Sequence, residues 1–376
     1  MPAGISRKFH IHQRNTGLLV RPGFVFYRAM ARISFAKTVL FSTVAVLLAL
    51  ACIEAGTRLY YALRSGAANT VDLHAYWTDD PETGYALLPG FAAGGIRINS
   101  LGFRGREIVM PKPGGTYRVV ALGDSTTFGP REAECAYPYA LADLLQARDI
   151  EVINAGIEGY RTERAQVHLE RDVLPLQPDL IIVFIGWDDL YQVDPFTDGT
   201  ESASLQLSPL QRVLSWSVAA QTFRRVYYEH LSTPSGALLS GPGARERFIE
   251  TYWPNEYADH LHRIFAAAHA AGADVLALTW PTLLDDDMSA WAASRIQYPY
   301  YTRSLSELQT LHADYQKTLR AVAASDQVPV IDVAAAFDGL DKTQLFSDAI
   351  HFNCAGHQVV AERLAPEVAE RAHRYF

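Results

Sequence analysis

The sequence predicts an α/β domain in which helices cover a central, mostly parallel sheet. An N-terminal transmembrane helix and a small turn-rich segment precede it. Three observations carry this expectation. Short apolar, β-branched runs at Tyr117–Leu122, Ile150–Asn154, Leu180–Ile185, Ala273–Thr279 and Val328–Val333 alternate with stretches of helical periodicity, the signature of parallel strands covered by helices. A basic arm leads into an uncharged, mostly apolar stretch, Thr38 to Ile53. Between the two, glycines and prolines crowd the chain from Arg58 to Gly115.

Taken in order, residues 1–34 form a basic tail, and no acid occurs before Glu54 while Arg7, Lys8, Arg14, Arg21, Arg28, Arg32 and Lys37 do. Residues 35–57 are long enough for the ~20 apolar residues a bilayer core needs. Basic residues ahead of a span place the N-terminus in the cytoplasm and the body outside. The expected location is therefore the cell inner membrane, single-pass, with the main domain on the periplasmic side. The leader is long and lacks a clear A-x-A cleavage site, so an uncleaved signal anchor is expected. Met30 begins a more compact leader, and Ala49-Leu50-Ala51-Cys52 has a faint likeness to a lipoprotein site.

Residues 58–115 read as turns and short strands, with Asn99–Gly105 as a knot packing onto the main domain. The main domain is expected over 116–376. Its helices fall at Tyr137–Arg148, Thr162–Val173 (capped by Thr162), Tyr257–Ala271, Leu305–Ala324 and Ala355–Tyr375. An irregular insertion, 191–255, interrupts it, with one helix expected at Pro209–Leu231 and a loop at Ser232–Gly243.

Composition excludes several function classes. With 49% hydrophobic and 20% charged residues the chain is globular, and a net charge of −8 argues against nucleic acid as a partner. No zinc-type spacing and no phosphate-loop motif appear, so neither a metal nor a cofactor is expected. Asp285-Asp286-Asp287 reads as a solvated loop, His260 and His262 as ordinary helix residues, and His168 and His357 as surface residues. Cys135 and Cys354 either pair, if their loops converge in an oxidising compartment, or stay buried thiols.

The chemistry lies in two motifs. In Val119-Val120-Ala121-Leu122-Gly123-Asp124-Ser125-Thr126 a buried strand hands over to an acid and a hydroxyl, at the strand end where open α/β sheets place their chemistry. In Ser347-Asp348-Ala349-Ile350-His351 the acid can reach one ring nitrogen, leaving the other to take a proton from a serine.

These blocks, with Asn154-Ala155-Gly156-Ile157-Glu158-Gly159 and Gly186-Trp187-Asp188-Asp189 between them, resemble in order the four blocks of the SGNH/GDSL hydrolases. The resemblance runs from about Tyr117 to Phe376, and the Asn99–Gly105 knot after an N-terminal span is similar to bacterial membrane-anchored members. It implies a flavodoxin-like three-layer domain performing acyl transfer, with Ser125 as nucleophile, His351 as general base then acid, and Asp348 orienting the imidazole. The implied oxyanion hole comprises the Ser125 and Gly159 N–H groups and position 188. Asp124 braces the loop. Asn154 and Asp189 support the site, Asn154 by tying strand ends or making a simple turn. Trp187, Tyr160 and Tyr191 either line a sugar- or acyl-binding cleft or pack.

Position 188 departs from the family's Gly-x-Asn-Asp. An asparagine amide donates hydrogen bonds, whereas an ionised Asp188 only accepts them. Losing one oxyanion donor costs on the order of 10²–10³ in rate. Three readings stay open: a protonated Asp188 in a dry pocket, a hole of two backbone donors, or a fold that has lost hydrolysis. The expected activity is a serine ester hydrolase acting outside the cytoplasm on an acyl, in first place acetyl, ester of cell-envelope or exopolysaccharide sugars. The alternatives are a polysaccharide O-acetyltransferase using the same triad, and a non-catalytic membrane-tethered scaffold or binding protein.

Overall fold

The computed structural model describes residues 35–65, 76–146, 149–191, 254–285, 288–296 and 304–376, with the single positions 217, 219, 223 and 298. The basic tail and, apart from those isolated positions, the interior of the 191–255 insertion lie outside the described residues.

Phe35–Ser65 is one continuous helix, α1. Within it Lys37–Leu59, 23 residues of mean hydropathy 2.2, is long and apolar enough to cross a membrane by length and composition. Nothing in it breaks a helix, and Arg58 Nε donates to Glu54 Oε1 at 2.7 Å one turn earlier.

From residue 76 the breaker-rich segment forms two antiparallel hairpins, β1 (Trp77–Asp80) with β2 (Gly84–Leu87) and β3 (Ala92–Ala93) with β4 (Ile96–Arg97). The main domain follows in order: β5 (Tyr117–Gly123), α2 (Ser125–Phe128), α3 (Tyr137–Leu145), β6 (Ile150–Gly156), α4 (Thr162–His168), β7 (Leu180–Phe184), α5 (Trp187–Tyr191), α6 (Asn255–Ala270), β8 (Asp274–Leu278), α7 (Ala290–Ala293), α8 (Leu305–Ser325), β9 (Val330–Ile331) and α9 (Cys354–Tyr375). The five strands β5 to β9 are parallel, in the order β6-β5-β7-β8-β9, the 2-1-3-4-5 arrangement of flavodoxin-like sheets. Helices α3 and α9 pack on each other, as do α6 with α4 and with α8. Right-handed crossovers put these two groups on opposite faces, because β5 steps one way to β6 and every later strand steps the other way. Strand β5 is buried along its whole length, which explains why Val119–Leu122 reads as an unbroken apolar run rather than an alternating one; its one charge, Arg118, is buried with its guanidinium bonded to Glu151 and the Leu176 carbonyl.

Two details differ from the sequence reading. Thr162 does not cap α4: it is the first helical residue, and its N–H and hydroxyl both go to Asp189, at 2.9 and 2.5 Å. A carboxylate from a distant part of the chain thus closes that helix end. His168 and His357 are core residues, 4% and 1% exposed. Phe103 and Tyr160 pack over His168, and His357 sits between Tyr137 and Phe352 with its Nδ1 accepting the Tyr137 N–H. Burial pushes the His357 pKa down to about 3, so it is a neutral packing group.

The knot at Asn99–Gly105 docks as expected. Arg104 bridges antiparallel to Asn154 on the edge strand β6, and it is 2% exposed. Its guanidinium lies 4.0 Å over the Phe128 ring and donates to the carbonyls of Phe128 at 2.6 Å, Gly129 at 2.9 Å, Arg131 at 3.1 Å and Pro130. Burial lowers its pKa to about 10, still charged at neutral pH. Arg104→Ala should strip these carbonyls of their donor and lower the unfolding free energy by about 3 kcal/mol or more. A shift of the denaturant midpoint at unchanged slope measures this.

Candidate active site

Strand β5 ends at Gly123 and the chain turns directly into α2. A Cβ on Gly123 would lie 2.2 Å from the Phe184 carbonyl oxygen, and one on Gly156 would lie 2.3 Å from the Phe128 backbone nitrogen. Only glycines let α2 sit this close to the ends of β5, β6 and β7. Asp124 caps the helix: Oδ1 accepts the Thr126 N–H at 2.9 Å and hydroxyl at 2.7 Å, and Oδ2 accepts the Gly186 N–H at 3.3 Å. Its carbonyl takes the Thr127 and Phe128 N–H groups, so Ser125 keeps a first-turn N–H that neither the helix nor Asp124 uses. Burial pushes the Asp124 carboxyl up, against the bonds from Thr126 and Gly186.

The partly exposed Ser125 side chain meets His351 across 226 positions of sequence. Ser125 Oγ lies 2.8 Å from His351 Nε2, and His351 Nδ1 lies 2.8 Å from Asp348 Oδ2. Asp348 Oδ1 accepts the backbone N–H groups of Ile350 at 3.0 Å and His351 at 2.8 Å. A carboxylate only accepts, so Nδ1 carries the proton and Nε2 is left to accept from the serine. Burial disfavours the imidazolium, but the Asp348 hydrogen bond and charge, with the charges of Asp124 and Asp188, outweigh it and hold the His351 pKa above its usual 6.5. Burial likewise works to raise Asp348, and the His351 partnership holds it below the usual carboxylate range.

The remaining sequence-derived residues gather around this trio. Asn154 Nδ2 donates to the Thr127 carbonyl at 3.0 Å and its Oδ1 accepts the Gly156 N–H at 2.9 Å, so it ties the end of β6 to α2. Gly159 adopts φ +78 in the turn after β6. Asp188 lies half-buried in α5, and its charge acts on His351, Tyr85 and Tyr191. Asp189 is buried beneath it, its carboxyl pushed up to about 6 by burial despite Arg161 and Thr162. Trp187 and Tyr160, 2% and 1% exposed, are packed, while Tyr191 is partly exposed beside Trp187. Cys135 and Cys354 are joined as a disulfide that links the stretch before α3 to the residues just after His351. Among the described residues no three His, Cys, Asp or Glu side chains gather as a metal site.

Three residues of this neighbourhood carry no sequence signal of their own: Arg104, Tyr76 and Tyr85. All lie upstream of the main domain, and the glycine-rich knot around Arg104 is the single hint that this stretch has a fixed shape.

Residues 121–359 match the model of the GDSL-like lipase/acylhydrolase family. The chain belongs to that family. The family hydrolyses acyl esters. A curated relative, the uncharacterized lipoprotein YqeF of Bacillus subtilis (strain 168), is 33% identical over 76 residues, 19% of this chain. The chain spans about a third, 31%, of that protein's length. Among solved structures, LAE5, an α/β hydrolase enzyme from the metagenome of Lake Arreo, Spain, is 20% identical with a TM-score of 0.41, covering 67% of this chain and 95% of its own. An acetyl xylan esterase from Geobacillus stearothermophilus is 18% identical with a TM-score of 0.41, covering 67% and 94%.

A base of raised pKa has a directional consequence. A general base must be neutral to accept a proton, so with His351 in that role kcat/KM on an activated ester should fall as pH drops through a midpoint above 6.5. A pH profile with an acid limb at or below that value would contradict this role for His351 or its raised pKa.

Proposed function

We propose that this protein is a membrane-anchored serine esterase working outside the cytoplasm through an acyl-serine intermediate. The observation that carries the reading is the unbroken relay of 2.8 Å contacts from Ser125 Oγ through both nitrogens of His351 to Asp348. In the proposed cycle Ser125 Oγ bonds to the ester carbonyl carbon while its proton passes to His351 Nε2. The carbonyl oxygen becomes anionic, facing the N–H groups of Ser125 and Gly159. Collapse breaks the bond to the alcohol oxygen, which leaves with the His351 proton. Water then gives a proton to His351 and bonds to the acyl carbon; collapse breaks the bond to Ser125 Oγ, which takes the proton back from His351 as the acid leaves. Asp348 holds the Nδ1 proton throughout and stabilises the imidazolium.

Two observations support an extracytoplasmic site: a disulfide, which persists in oxidising compartments, and the basic flank ahead of α1. An acetyl ester of cell-envelope or exopolysaccharide sugars is the substrate that suits a site tethered at that surface. The O-acetyltransferase variant differs only in whether water or a sugar hydroxyl attacks the acyl-serine.

Asp188 favours a second reading, a tethered scaffold without turnover, because an anion at that position opposes a developing oxyanion. Labelling by a fluorophosphonate separates the two. The esterase should be modified at Ser125, and Ser125→Ala should abolish both labelling and turnover of an activated acetyl ester while the protein stays folded. A folded parent that fails to label would leave the scaffold reading. Asp188→Asn should raise kcat by about tenfold or more by turning an acceptor into a donor. It should also lower the acid-limb midpoint, since one charge raising His351 is gone. A large loss of activity would show instead that the carboxyl group is needed.

A further inference from the structure

The hairpin β1–β2 lies far upstream of Ser125, yet it grips the turn that bears Gly159. Tyr85 Oη donates to the backbone carbonyl of Glu158 at 2.7 Å, and Tyr76 Oη donates to the Glu158 carboxylate Oε2. Glu158 is thus held at two points. The tyrosines are themselves fixed. Tyr160 Oη donates to the Tyr85 carbonyl at 2.6 Å, and the Tyr85 and Tyr160 rings meet edge to face at 5.4 Å. Tyr76, 1% exposed, stacks on Phe128 at the end of α2 with ring centroids 5.7 Å apart. Tyr76, Leu87, Ile96 and Ile98 from upstream join Phe128, Ile157 and Tyr160 in a small hydrophobic core separate from the sheet's. Below the rings, Arg171 of the main domain pairs with Asp80 and Glu82 of the hairpin at 3.0 and 2.9 Å.

The Glu158 carbonyl and the Gly159 N–H belong to one peptide unit. That unit is planar and trans, so its C=O and N–H point in opposite directions. A hydroxyl that fixes the carbonyl therefore fixes the N–H as well, and by drawing charge onto the oxygen it polarises the N–H as a donor. Gly159, at φ +78, has no side chain with which to anchor the turn, so side chains of its neighbours share in fixing it.

We propose that Tyr85 is a positioning residue for the oxyanion hole, setting the Glu158–Gly159 peptide plane through the Glu158 carbonyl, with Tyr76 as a second anchor through the Glu158 carboxylate. The upstream hairpin is then a working part of the active site and not a spacer between membrane and enzyme. This rests on the esterase reading above, with Gly159 N–H as an oxyanion donor.

The test uses the full-length protein in detergent, an activated acetyl ester, and a fluorophosphonate whose phosphonyl oxygen occupies the same hole. Tyr85→Phe removes one hydroxyl and keeps the ring. It should lower kcat and the labelling rate together by about tenfold, with KM within about twofold and the acid-limb midpoint unmoved, a pattern that general loosening of the fold does not give. Tyr76→Phe should give a smaller loss of the same kind, and it carries the test if Tyr85→Phe does not fold. Tyr139→Phe is the control. Its hydroxyl donates to the Arg104 carbonyl at 2.9 Å and does not touch the 158–159 peptide, so stability should fall while kcat stays within twofold. Labelling of the parent at Ser125 with both hairpin variants at parental kcat overturns the positioning role alone. A loss seen only in KM, or one matched by Tyr139→Phe, overturns it too. A parent that does not label at Ser125 overturns this inference and the esterase reading together.

Discussion

The close approach of the α2 turn to the ends of β5 and β6 is the constraint on which the rest of this structure depends. Gly123 and Gly156 leave no room for a side chain: the Thr127 side chain and the Phe184 carbonyl fill the space at the first, and the Thr127–Phe128 backbone of the helix that begins at Ser125 fills it at the second. A helix of four residues cannot hold itself in place, since most of its backbone groups lack intrahelical partners. Side chains therefore do it: the capping Asp124 accepts the Thr126 N–H, Asn154 donates to the Thr127 carbonyl, and Arg104 donates to the carbonyls that follow.

The same logic explains the concentration of buried polar groups at this end of the sheet. Asp124, Asn154, Asp189 and Arg104 are nearly inaccessible, and each satisfies backbone groups that strand ends and short helices leave over. Burying an unpaired polar atom costs more than a hydrogen bond returns, so these residues work as connected sets. Two of the carboxyls pay in pKa, Asp189 being raised to about 6. The Asp348 hydrogen bond and charge, with the charges of Asp124 and Asp188 behind them, nevertheless hold the His351 pKa up against the burial that would lower it.

The histidine side of the site is secured independently. Asp348 binds both the ring and the backbone of His351, and Asn353 caps α9 immediately afterwards by accepting the Ala355 and Gly356 N–H groups at 2.9 and 3.1 Å. The disulfide joins Cys354 to Cys135 across 219 positions, and closing so long a loop removes much freedom from the unfolded chain. The two halves of the relay are thereby linked covalently as well as by the sheet.

The sequence by itself determined the parallel sheet, the order of its helices, the apolar N-terminal helix, and the Ser125 and Asp348–His351 motifs. Each is local: an apolar run, a helical period, or a spacing within one turn, so its signal lies in adjacent letters. Tertiary structure alone decided which distant groups meet. It placed Asp189 rather than Thr162 at the start of α4, sank His168 and His357 into the core, joined the two cysteines, and brought Arg104, Tyr76 and Tyr85 against the loops beside Ser125. Hydrogen bonds between residues tens to hundreds of positions apart leave no period in the chain. They exist only once the sheet has packed and the leftover backbone groups at its edge must find partners.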